Sequence, residues 1–219
     1  MHEAYRTPDT VPLDTNRSLD EDRGRVLLNL ARNTIAEKLF PQEAHSGKAA
    51  PRLSGVADLD VAHLDWLHQP GATFVTLMLD GELRGCIGSL QAHCALHDDV
   101  CRNAAAAAFG DPRFLPLTCE EFSAVEVEVS LLTVPQPLIF TDEADALAQL
   151  QPEIDGVVFE YGRYRSTFLP QVWEHFPQPR EFLGMLKRKA GLPADFWAEE
   201  IRLSRYTVTK WREREFKNG

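Results

Sequence analysis

The chain has 219 residues and a formal net charge of −10, from 23 Lys and Arg against 33 Asp and Glu. Apolar side chains make up 44% and charged ones 26%, ordinary for a globular protein long enough to bury a sizeable core. The acidic balance argues against nucleic acid and anionic membrane surfaces as partners, because both demand a basic face.

Residues 1–17 are acidic, proline-bearing and poor in apolar side chains, which suits a flexible start. They begin Met1-His2-Glu3-Ala4-Tyr5-Arg6, with no hydrophobic stretch of the kind a secretory signal needs. Ser18 with Glu21 forms a capping-box pattern opening a helix, in which Leu27, Ala31, Ile35 and Leu39 recur at helical spacing up to Pro41. The stretch 41–72 reads as loops, a short strand and a helical turn near Leu64–Leu67. Thr73–Leu79 and Glu82–Leu90 are strands joined by the hairpin turn Asp80-Gly81. His97–Phe109 is an alanine-rich helix with Asp98 and Asp99 in its first turn, ended by Gly110 and Pro112. Val125–Thr133 alternates Val125, Val127, Val129 and Leu131 against Glu126, Glu128 and Ser130, the pattern of a half-buried strand.

Further on, Glu143–Leu150 reads as a short helix, Val157–Tyr161 as a strand, and Tyr161-Gly162-Arg163-Tyr164-Arg165 as an exposed basic, aromatic turn. Leu169–Phe176 and Arg180–Ala190 read as helices, and Ile201–Trp211 as a last strand. Trp173, Trp197 and Trp211 are expected in the core. Strands and helices mix without regular βαβ alternation, so the fold class is α+β with a mixed or antiparallel sheet and packed helices. The apolar runs are too short to span a bilayer. Cys86, Cys94, Cys101 and Cys119 are read as reduced thiols of a cytoplasmic protein.

Three blocks carry a family resemblance: Leu83-Arg84-Gly85-Cys86-Ile87-Gly88; Arg102-Asn103-Ala104 through Asp111-Pro112-Arg113-Phe114; and Asp155-Gly156-Val157-Val158 through Leu169-Pro170-Gln171-Val172-Trp173. Together with Phe182-Leu183, Lys189-Ala190-Gly191-Leu192 and Trp197 to Tyr206, they resemble the AMMECR domain, whose bacterial members are called AmmeMemoRadiSam system protein A. The resemblance runs from about residue 20 to the C-terminus, so 18–219 is expected to form one such domain after a flexible 1–17. It implies a larger lobe built from both chain ends with a smaller lobe inserted. It also implies association in a pathway with a Memo-like protein and a radical S-adenosylmethionine protein, without naming a reaction.

The residues themselves suggest a site. With plain strand alternation Arg84 and Cys86 share a face, where a guanidinium could favour the thiolate and hold an anion. They are the candidate catalytic pair. Gly85 and Gly88 would let a ligand or another backbone approach, and Asn103, Asp111, Arg113, Glu126 and Glu128 are candidate substrate-binding groups. Structural roles compete with each: a buried thiol, an Asp111 turn cap, and an Arg113 bridge to Glu126 or Glu128. His93, Cys94, His97 and Cys101 include zinc-type ligands, but neither paired knuckles nor a known motif supports a metal, and no cofactor is called for. The expected function is an enzyme or enzyme component acting on an unknown small molecule in that pathway. The other reading is a non-catalytic adaptor docking those partners.

Overall fold

The computed structural model describes residues 13–41 and 64–216. Helix α1 spans Leu13–Leu39 and buries Leu27, Leu28, Ala31 and Ile35 completely. It starts earlier than Ser18, so the Ser18–Glu21 pattern lies inside the helix. The sequence signal for this earlier start is Pro12, a residue type suited to the beginning of a helix. The remainder of the proposed flexible segment, 1–12, and the loops and strand read into 42–63 lie outside the described residues.

The helical turn near Leu64 is α2 (Asp65–His68). Strands β1 (Pro70–Leu79) and β2 (Glu82–Gly88) follow, joined by Asp80 and Gly81, both at positive φ (53° and 85°), as a two-residue hairpin turn requires. β1 begins before Thr73 because the short β3 (Cys94–Ala95) pairs with Pro70 and Gly71, a tertiary contact with no local signal. Then come α3 (Leu96–Phe109), α4 (Cys119–Phe122) and β4 (Glu126–Leu132). β5 (Gln136–Pro137), α5 (Glu143–Gln149), β6 (Gly156–Tyr161) and β7 (Tyr164–Phe168) lead to a 3-10 segment, Pro170–Glu174, where a longer helix over 169–176 was expected. The Tyr161–Arg165 turn tightens into a hairpin: Tyr161 pairs with Tyr164, and the chain continues as β7. The chain ends with α6 (Pro179–Lys189), β8 (Arg202–Tyr206), β9 (Val208–Arg212) and α7 (Glu213–Phe216).

The expected single strand over 201–211 is two strands in two sheets. β9 completes a first sheet of order β2-β1-β4-β9, with β3 also on β1; β8 belongs to a second of order β5-β8-β6-β7. Every strand pair is antiparallel. The switch is Thr207, whose N–H donates to Thr133 Oγ1 (2.9 Å) and whose carbonyl accepts from the Thr133 N–H (3.0 Å).

One face of the first sheet (Val75, Leu77, Val127, Val129, Trp211) packs on α1 and α3 in one core. In the second sheet, Val157, Phe159 and Leu203 pack with Trp173 and with Phe182, Leu183 and Leu186 of α6, and Trp173 stacks on Phe182 at 3.7 Å between ring centres. Trp197 is half-buried against this second core. The opposite faces of both sheets meet in a third apolar cluster of Ala72, Leu132, Val158 and Tyr206, flanked by Phe74, Leu169 and Val208. No helix among the described residues is long and apolar enough to cross a membrane.

Candidate functional site

The candidates around Cys86 fall into two groups, separated by which face of the first sheet they serve. β2 is an edge strand, and an edge leaves main-chain donors and acceptors without a partner strand. Asp111 and Arg113 fill that role at Cys86. The Cys86 N–H donates to Asp111 Oδ2 (2.9 Å), and Arg113 donates to the Cys86 carbonyl (3.1 Å). The two side chains are locked together by Arg113 Nε to Asp111 Oδ1 (2.9 Å) and the terminal guanidinium nitrogen to Oδ2 (2.7 Å). Arg113's hydrogen bonds, outweighing burial, hold the Asp111 carboxyl far below the usual carboxylate range. Arg113 therefore does not bridge to Glu126 or Glu128: its reach is taken by the edge.

Arg84 sits at a β-bulge, where Leu77 pairs with Gly85 and Met78 already pairs with Leu83. The bulge breaks the plain alternation that would set Arg84 beside Cys86. Arg84 instead donates to both oxygens of Glu121 (2.8 and 3.0 Å). Glu121 also closes the capping box of α4 with Thr118. Its carboxyl is lowered to about 2, chiefly by the Arg84 hydrogen bonds. Phe114 lies under both guanidiniums, at 5.9 Å from Arg84 and 5.5 Å from Arg113.

The glycines serve close packing. A Cβ on Gly85 would stand 2.2 Å from the Ala107 carbonyl oxygen of α3, and one on Gly88 would stand 2.3 Å from the Phe74 ring. Asn103 belongs to a buried network centred on Asp99. Asp99 Oδ2 accepts from the Thr73 N–H, the Thr73 hydroxyl and Asn103 (2.8, 2.8 and 2.9 Å), while Oδ1 accepts from Ser89 and Arg102 (both 2.6 Å). This network pins α3 to β1.

The second group lies on the face away from α1 and α3, which the helices among the described residues leave open. Register places Cys86 opposite Thr76, Thr76 opposite Glu128, and Glu128 opposite Arg212, so four strands present one row on one face. The next row toward the apolar seam is Gly88, Phe74, Ser130 and Lys210. The Thr76 hydroxyl donates to Cys86 Sγ at 3.3 Å. Glu128 is shared by Arg212 (3.0 Å) and Lys210 (3.5 Å). Glu126 takes Arg214, by a 3.6 Å ion pair and a 3.1 Å bond from its main-chain N–H. A thiol, a hydroxyl, a carboxylate and two cations on one sheet face can orient a polar ligand and move a proton.

Thr76, Lys210 and Arg212 were not among the sequence candidates. Their signal is the alternation of Lys210 and Arg212 around buried Trp211, which marks an open face without saying which strand lies beside it. Of the metal candidates, Cys94 lies on β3, apart from the α3 residues His97 and Cys101, whose Nε2 and Sγ are 4.0 Å apart. His97 Nδ1 meets Asp98 at 3.0 Å.

A sequence model of the AMMECR1 family matches residues 28–211. A protein of Methanothermobacter thermautotrophicus is 37% identical over 197 residues, covering 89% of this chain and 96% of its own. A protein of Methanocaldococcus jannaschii is 40% identical over 136 residues, 61% of this chain and 68% of its own. The crystal structure of an uncharacterized protein from Pyrococcus horikoshii superposes with a TM-score of 0.63 at 28% identity, covering 87% of this chain and 91% of that one. Family match, identity and superposed architecture agree, and the chain belongs to the AMMECR1 family.

Proposed function

We propose that the protein is an enzyme or enzyme component that holds a small polar molecule on the open face of the first sheet, with Cys86, Thr76, Glu128, Lys210 and Arg212 toward it. The observation that carries this reading is the row itself: four reactive or charged side-chain types in register across four strands. The conspicuous polar residues on the edge of β2 are engaged with main chain or a helix cap, whereas those of this row are paired with one another across the sheet face. In this reading Asp111 and Arg113 are positioning residues, fixing the main chain on both sides of the thiol. The first sheet with its helices is the larger lobe, built from both chain ends, and the second sheet is the inserted smaller one. The family resemblance supports a place in a pathway with a Memo-like protein and a radical S-adenosylmethionine protein.

The adaptor reading draws on Leu115 and Ile139, each 83% exposed, and Val134 at 66%, apolar side chains a docking partner would cover. Residue-resolved alkylation separates the two. Under native conditions iodoacetamide should modify Cys86 faster than Cys101, whose thiol is pushed up by burial. A Cys86 that reacts only in denaturant would take the thiol out of the site and leave the adaptor ahead.

A further inference from the structure

We infer that the ligand of this open face is an elongated small anion, its carboxylate or phosphate seated between Lys210 and Arg212 and its far end over Cys86. The inference rests on the open-face reading and adds the ligand's charge and length. Two cations share the single carboxylate of Glu128. Arg212 Nε lies 3.0 Å from Glu128 Oε1 yet is buried without a hydrogen-bonded acceptor. The Arg212 and Lys210 side chains are nevertheless 34% and 41% exposed, so their positive charge stays within reach of an anion from solvent. Of the neighbouring carboxylates, Glu126 pairs with Arg214, while Glu215 accepts the main-chain N–H of Arg212 at 3.1 Å and keeps its charge, so an anion is drawn by the placement of Lys210 and Arg212 and not by a net positive charge.

Length follows from the sheet. Strands lie about 4.8 Å apart, so Cys86 is roughly 10 Å from the β4 position and roughly 14 Å from the β9 position of its row. Both cations lie within 3.5 Å of Glu128, and Cys86 Sγ lies 3.3 Å from the Thr76 hydroxyl on the next strand, which leaves roughly 8–10 Å, about two strand spacings, between an anion in the cationic notch and the sulfur. The hydroxyls of Thr76 and Ser130 lie on the way, on the same face. The apolar seam of Phe74, Val208, Val158 and Tyr206 borders the notch on one side.

A matched pair of thiol reagents tests this. 6-Maleimidohexanoate and 6-maleimidohexanamide have the same reach and differ by one negative charge. For Cys86 in the native protein, the ratio of acid to amide rates should exceed the same ratio in denatured protein about tenfold, as local steering of an anion allows. It should collapse toward the denatured ratio in Lys210→Gln/Arg212→Gln. It should also collapse in the unmodified chain at high salt, a control that needs no variant to fold. Fast labelling of Cys86 by both reagents with no preference for the acid would overturn the anion and leave the open-face reading standing. Failure of both reagents to label native Cys86 would overturn both.

Discussion

The first sheet carries an arginine–glutamate pair behind each of its faces, and the two are built differently. On the helix-covered side Arg32 of α1 meets Glu213 at the start of α7. Both are buried, and every arm has its own partner. Arg32 Nε donates to Glu213 Oε1 (2.8 Å), its terminal nitrogens donate to the Phe122 and Val125 carbonyls (2.8 and 2.7 Å) and to Glu213 Oε2, and Oε2 also accepts the Val127 N–H (3.0 Å). On the open side Arg212 and Lys210 divide one carboxylate, and both side chains stay partly exposed, at 34% and 41%. Exclusive, saturated pairing marks a group that holds the fold. Shared, partly exposed pairing leaves a group with capacity for something else.

The sharpest way to break this contrast is to cut the saturated pair. Arg32→Met leaves the Glu213 carboxylate buried with only the Val127 N–H, and loss of one member of a buried pair costs about 3–5 kcal/mol. Urea denaturation should show a loss of that size, and Arg32→Met/Glu213→Leu should recover much of it by replacing both charges with apolar packing. A single variant less than about 1 kcal/mol below the parent would mean that the pair holds little.

Second in size is Gly85→Ala. The added methyl would meet the Ala107 carbonyl oxygen at 2.2 Å, and that oxygen is main chain in the middle of the sheet–helix contact, so it cannot swing aside. Overpacking of this kind costs about 1–3 kcal/mol. The loss should appear in the same denaturation measurement, together with faster hydrogen exchange along α3 as the helix is pushed off the sheet. An unchanged α3 would show that the close approach is incidental.

How far this organisation can be read from the chain depends on the range of the interaction. Asp80-Gly81, the alternation over 125–133 and the first-turn acids and closing glycine of α3 are local, and the elements they mark are there. The division of 201–211 at Thr207 is not local. Either half alternates well enough to be a strand, and only pairing with β6 on one side and β4 on the other assigns them to different sheets. The same holds for the site. Cys86, Glu126 and Glu128 could be suspected by residue type, but the row joining Cys86 to Arg212 is a statement of register among strands far apart in sequence. Arg84, Asp111 and Arg113 drew attention because charged residues beside a thiol suggest chemistry. A bulge and an open strand edge, neither visible in the residue order, engage the same side chains.

The smallest expected effect concerns a pair between those extremes. Arg84 and Glu121 are matched one to one, like the pair behind the sheet, but Glu121 is 26% exposed at the rim. Its carboxyl titrates at about 2 in the folded protein, against an ordinary value of 4.5, so the native state holds the charged form more tightly than the unfolded chain does. The stabilisation is therefore fully present above about pH 4.5 and is lost as pH falls toward about 2. Glu121→Gln should lower stability at neutral pH by about 1 kcal/mol or less, the range of a partly solvated pair. The gap between parent and variant in urea midpoints should then narrow through that acid window. The Asp111–Arg113 pair titrates lower still and persists through most of it, so Cys86 keeps its main-chain clamp while Arg84 loses its partner. A parent-to-variant gap that stays constant down to the acid end would show that Glu121 acts through its capping hydrogen bonds with Thr118, and not through the charge it shares with Arg84.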